Sequence, residues 1–93
     1  MTTRKKLFAL GELRITPSAG YYLPAYYIQP MDLIRRHQHG DWGDICDEDA
    51  QANQQAIIHQ TRIVSSYLIG NKKVLVITEA DRSSTTVLLA QDY

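Results

Sequence analysis

The apolar positions change period along this chain, and the changes divide it into elements. From Phe8 to Thr16 the residues Phe8, Leu10, Leu13 and Ile15 alternate loosely, which predicts a strand, and Gly11 marks a candidate bulge in it. Thr16-Pro17-Ser18 stops that strand or begins a short helix with Pro17 at its first position. Gly20 to Pro30 follows no period. It sets Tyr21, Tyr22, Tyr26 and Tyr27 around Pro24, which forbids a clean helix and leaves a loop or a short helical turn. From Pro30 to His37 the spacing turns helical: Pro30 suits the first position, Asp32 the positive end, and Met31, Ile34 and His37 share a face, with Gly40 as the stop. His39 to Asp44 reads as a turn, because two glycines flank Trp42. Asp47-Glu48-Asp49 then opens a second helix that runs to about His59. Its inward stripe is expected to be Ile45, Asp49, Ala52, Ala56 and His59, with Ile57 beside it and Gln51, Asn53, Gln54 and Gln55 facing out.

After Thr61 the period drops to two. Arg62 to Ile69 is rich in β-branched and aromatic residues and reads as a strand. Gly70-Asn71 is a hairpin signal, Lys72 to Ala80 a second strand, Asp81-Arg82-Ser83 another turn, and Ser84 to Ala90 a third strand. Apolar residues on both faces of Lys73 to Ile77 make that strand central, with a helix covering one side. The whole predicts a small α+β domain, residues 1–93, with short helices packed on an antiparallel β meander and a frayed tail over residues 1–6.

Charge and composition narrow the function classes. Ten basic residues balance ten acidic ones, which argues against strong non-specific nucleic-acid binding, since that needs an excess of Lys and Arg. The same neutrality favours self-association, so a homodimer is open. A single cysteine, Cys46, excludes an internal disulfide, and it reads as a small buried residue near a helix start. The three histidines lack ligand-like partners at helical spacing, so neither a metal site nor a cofactor is expected. No apolar run is long enough to span a membrane, and Leu7 to Leu10 is too short for the apolar core of a signal peptide, which makes the expected compartment cytoplasmic.

The candidate sites each admit two readings. Asp41, Trp42 and Asp44 form either a turn that anchors a tryptophan on the core or, with the acidic run that follows, a cation-binding carboxylate pair. Glu79, Asp81 and Arg82 form either a hairpin held by an Asp–Arg pair or an anion grip flanked by Ser83, Ser84 and Thr85. Tyr21, Tyr22, Tyr26 and Tyr27 either cover a core edge or form a sticky patch for a partner.

Two resemblances bear on these sites. The segments Arg36-His37-Gln38-His39-Gly40-Asp41-Trp42-Gly43-Asp44 and Ile77-Thr78-Glu79-Ala80-Asp81-Arg82-Ser83-Ser84-Thr85-Thr86 resemble those of a group of small bacterial proteins found on plasmids and other mobile elements. The likeness spans residues 10–93 and departs from the group in the tyrosine-rich stretch. It implies cargo of a mobile genetic element, and with it a counter-defence protein that occludes a host or rival protein complex. The order of helices followed by a meander also resembles barnase-like ribonucleases and toxins. That likeness implies Glu79 as base, Arg82 as phosphate clamp and His37 or His39 as acid. The meander itself carries no histidine, which departs from that pattern. The expected function is therefore a non-enzymatic binding protein, with a ribonuclease or toxin as the alternative and a structural or regulatory homodimer as a third reading.

Overall fold

Local chemistry sets where each element begins. Thr16 is extended and its side chain accepts the Ala19 N–H, while Pro17 stands where no amide hydrogen is needed, so helix α1 starts there and spans Pro17–Tyr22. A 3-10 turn follows over Leu23–Tyr26, with Pro24 again in its first turn. Helix α2, Pro30–Gln38, opens on a capping box between Gln29 and Asp32, and the left-handed Gly40 lets the chain leave it. Helix α3, Asp47–His59, carries Asp47, Glu48 and Asp49 against its positive end and closes on a left-handed Gln60.

In this computed structural model, which describes residues 5–93, the strands are β1 (Glu12–Ile15), β2 (Ile63–Ile69), β3 (Lys72–Thr78) and β4 (Ser84–Leu89), and a final 3-10 turn covers Ala90–Asp92. The first four residues of the expected tail lie outside the described residues, and Lys5 and Lys6 carry no regular structure. Strands β2, β3 and β4 form the antiparallel meander, with Ser65 opposite Val76 and Val76 opposite Val87. Strand β1 joins β4 in parallel, from Glu12 opposite Ser84 to Ile15 opposite Val87, giving a mixed sheet in the order β1-β4-β3-β2.

Gly11 does not bulge a strand, since no strand runs through it. It stands just before β1 at φ +66, where its Cα lies against the Arg82 and Ser83 backbone, and a Cβ would overlap both. This close approach lets β1 enter beside the β3–β4 turn.

Helices α1 and α2 cover one face of the sheet. Ala19, Leu23, Leu33 and Ile34 bury against Tyr67, Val74, Val76, Val87 and Leu89. A second cluster joins Trp42, Ala56 and Ile63, with Phe8, Ile45 and Ile57 packed around them. Helix α3 reaches the sheet at its β2 side. The side chain of Asn53, expected outside, turns inward and is buried: its Nδ2 donates to the Val64 carbonyl at 2.8 Å and its Oδ1 accepts the Val64 N–H at 3.1 Å. The amide has the donor and acceptor of a peptide unit, so it pairs with the strand edge as a neighbouring strand would. Ala52, expected inside, is exposed. Among the described residues no helix is long and apolar enough to cross a membrane.

Candidate functional site

The segment from Asp41 to Asp44 runs beside β2. The Ser66 N–H donates to the Trp42 carbonyl at 3.0 Å, the Asp44 N–H donates to the Ser66 carbonyl at 2.6 Å, and the Leu68 N–H donates to the Asp44 carboxylate at 2.8 Å. Gly43 makes this possible at φ +79, because a Cβ there would strike the Ser66 carbonyl and the Tyr67 ring. Asp41 accepts from Arg36 at 2.7 and 3.3 Å, which holds the guanidinium above its ordinary pKa, and its carbonyl accepts the Tyr67 hydroxyl at 2.6 Å. Burial pushes the Tyr67 phenol up to about 12. Trp42 is buried beside Phe8 and His37. Both carboxylates thus bind protein donors, and among the described residues no group of His, Cys, Asp and Glu is placed to hold a metal ion.

His37 is fully buried between α2 and the sheet. Its Nδ1 lies 2.6 Å from Ser65 Oγ and its Nε2 lies 2.8 Å from Thr78 Oγ1; Thr78 and Thr85 hydroxyls are 2.7 Å apart, and Thr85 donates to the Leu10 carbonyl at 2.8 Å. The carbonyl can only accept, so the direction of the whole chain follows. Thr85 spends its proton on Leu10 and accepts from Thr78. Thr78 accepts from Nε2–H, and Nδ1 is left to accept from the Ser65 hydroxyl. Burial, helped by the nearby Arg82 charge, lowers the imidazole to about 3, so the ring is neutral at pH 7. A serine donating to a histidine has the form of an activated nucleophile, but neither Ser65 nor His37 meets solvent.

Arg82 is also committed to the fold. It adopts φ +60, and its guanidinium donates to the carbonyls of Thr61 at 2.7 Å, Ala56 at 2.9 Å, Glu79 at 3.1 Å and Ala80 at 3.2 Å. It ties the last turn of α3 to the β3–β4 turn. Asp81 does not pair with it. The Asp81 carboxylate accepts the Ser83 N–H at 3.0 Å, and its bonds to Ser83 hold it below the usual carboxylate range. Glu79 pairs with Arg62 at 3.1 Å. His39 bonds the Arg35 carbonyl at 2.7 Å, so it does not join this group.

The tyrosines divide into two pairs. Tyr22 donates to the Ile69 carbonyl, its ring lies 5.0 Å from that of Tyr26, and Tyr26 covers Gly70 at the hairpin. The hydrogen bond with Tyr22 raises the Tyr26 phenol above its ordinary value. Tyr21 and Tyr27 are 87% and 97% exposed, so they contribute almost nothing to the core. Tyr27 also borders a shallow hollow of about 410 Å³ with Pro24, Ile28, Gln29 and Pro30. A wider groove of about 570 Å³ lies between the start of α3 and strands β2 and β3, lined by Cys46, Asp49, Arg62 and Lys73 among others. Cys46 is exposed there, contrary to the expectation that it is buried.

The Trp42 segment is the turn that its flanking glycines predict. Sequence reasoning missed Asn53 and the depth of His37. A signal for the first exists, since Ala50, Asn53, Ala56 and Ile57 fall at helical spacing on one side. The fold and these contacts define a small α+β protein whose His37 and Arg82 serve its interior and whose Tyr21 and Tyr27 face outward. No family model, curated protein or solved structure matches the chain.

Proposed function

We propose that this is a non-enzymatic binding protein that docks on a protein partner through Tyr21, Tyr27 and the hollow beside them, and acts by occlusion. The observation that carries this reading is Tyr27. It holds a left-handed backbone, φ 58, at the end of the 3-10 turn, with its side chain 97% exposed. That conformation costs an L-residue about 1–2 kcal/mol, and a ring in solvent returns none of it. Backbone strain at an exposed aromatic fits a recognition role, since tyrosine gives large contact area with few torsions to freeze. The proline-flanked hollow would seat an apolar side chain of the partner.

The likeness to mobile-element proteins makes a host or rival complex the kind of partner, and counter-defence the kind of task. Against the ribonuclease alternative stand the positions of its three groups: the imidazole of His37 is buried and neutral, the Arg82 fork is filled by carbonyls, and Glu79 is paired with Arg62.

The test pairs capture with an assay for cleavage. Wild-type protein should recover one stoichiometric complex from host extract, and Tyr27→Ala and Tyr21→Ala should each lose it while unfolding at the wild-type midpoint. Pure wild-type protein should leave RNA intact. Cleavage that disappears in Glu79→Gln would overturn the reading.

A further inference from the structure

The two edges of the sheet are treated differently. Along β2, the N–H groups that face away from β3 belong to Val64, Ser66 and Leu68, and all are taken: by Asn53, by the Trp42 carbonyl and by Asp44. Along β1, the bonds from Glu12 N–H to the Ser83 carbonyl and from Thr16 N–H to the Val87 carbonyl show that even-numbered residues face β4. The backbone groups of Leu13 and Ile15 therefore point outward, and they have no partner among the described residues. The side chains do not hide them, since every residue of β1 is exposed, Leu13 at 41% and Ile15 at 45%. An open edge that carries apolar side chains invites another strand.

We propose that β1 pairs antiparallel with β1 of a second copy of this chain, about a two-fold axis at Leu13, joining two four-stranded sheets into one. The charges of the strand select this partner and this register. With Leu13 opposite its own copy, the two leucines exchange both backbone hydrogen bonds, and Glu12 of each chain faces Arg14 of the other across a closely spaced pair. Placing the axis midway between two residues, a one-residue slip of the pairing, would set the outward-facing backbone groups of one strand against residues of the other whose groups already bond β4. Moving the axis so that Leu13 faces Ile15 sets Arg14 against its own copy. Thus one in-phase register joins opposite charges, and the strand is self-complementary in it. Glu12 and Arg14 already lie on the same side of β1, where they contact each other at 3.2 Å, so both are placed to turn to a partner strand. The chain has a formal net charge of zero, so no long-range repulsion opposes the approach of two copies. None of the tyrosines takes part, and this pairing stands or falls separately from the docking surface described above.

The experiment is sedimentation equilibrium of the full chain across the micromolar to millimolar range, with charge variants of β1. Wild-type protein should show a reversible monomer–dimer equilibrium. Glu12→Arg and Arg14→Glu should each place like charges opposite one another and weaken dimerisation by roughly tenfold or more. Mixing the two single variants should restore association, now as a heterodimer, because two arginines then face two glutamates. The double variant Glu12→Arg/Arg14→Glu should dimerise like the wild type. Both positions are exposed, so the variants should fold, and circular dichroism checks that they do. Wild-type protein that stays monomeric throughout overturns the proposal. So does a dimer indifferent to both single substitutions, or single variants that fail to associate when mixed.

Discussion

The Ser65 hydroxyl donates to Nδ1 of His37 across 2.6 Å, so a proton arriving on that nitrogen would remove the acceptor of the bond. The ring is neutral because it is buried, and its pKa of about 3 lies well below that of an imidazole in an unfolded chain, about 6.5. Between those two values the unfolded state takes up a proton that the folded state refuses. Stability should therefore be flat above about pH 6.5 and fall with acid by up to roughly 1.4 kcal/mol per pH unit down to about pH 3. The lowered carboxylate of Asp81 adds its own loss only lower on the scale, below its ordinary value. Denaturant unfolding followed from about pH 7 to 4.5 isolates the histidine. A midpoint that does not move over that interval would show that His37 is not held neutral by burial.

Trp42→Ala should destabilise the protein by about 3–4 kcal/mol, since the ring is buried with Phe8 and His37 and alanine leaves a cavity that a small domain cannot refill. Thermal unfolding measures the loss.

Asn53→Ala should cost about 1–2 kcal/mol, because it removes the buried amide that pairs with the part-buried N–H and carbonyl of Val64. Hydrogen exchange gives a sharper readout. The Val64 amide should exchange faster than that of Ser66, whose partner is the Trp42 carbonyl and is not altered.

Arg82→Lys keeps the charge and loses the fork that spans four carbonyls. An ammonium cannot reach both Thr61 and Ala56 in that geometry, so the loss should be about 1–3 kcal/mol. Equal stability in this variant would mean that charge alone holds the turn.

Tyr27→Gly should separate stability from binding. Glycine relieves the left-handed backbone, so the variant should be as stable as the wild type or more so by about 1 kcal/mol. Partner capture should be lost. Destabilisation instead would return the ring to a structural role.

The elements with a dense local signal were legible in the sequence. The meander reads at period two with Gly70-Asn71 at its hairpin, and helix α3 announces itself through three carboxylates in its first turn. What was not legible depended on long-range pairing. Nothing local to Glu12–Ile15 says that it will lie parallel to β4, because that choice is settled by residues some seventy positions on. Asn53 looks like any polar residue of a glutamine-rich helix until a strand edge is laid beside it. The spacing puts His37 on one face with Met31 and Ile34, but its partners Ser65 and Thr78 lie 28 and 41 positions on, and nothing local to α2 points to those two hydroxyls. The surroundings of the candidate catalytic set were hidden for the same reason. Glu79, Arg82 and the histidines are the right kinds of residue, and only the folded chain reveals that each already has a structural partner.

The amide of Asn53 also limits what can be built from this molecule. With Asn53 and Asp44 laid along β2, only one side of the sheet can accept a further strand. Joining two such sheets through a two-fold axis consumes both available sides, and growth ends at two. The same chain with β2 uncovered would have a free side at each end of every joined pair, and each addition would create the site for the next. A single side-chain amide, placed where a backbone would otherwise go, is therefore part of what separates a discrete assembly from a fibre.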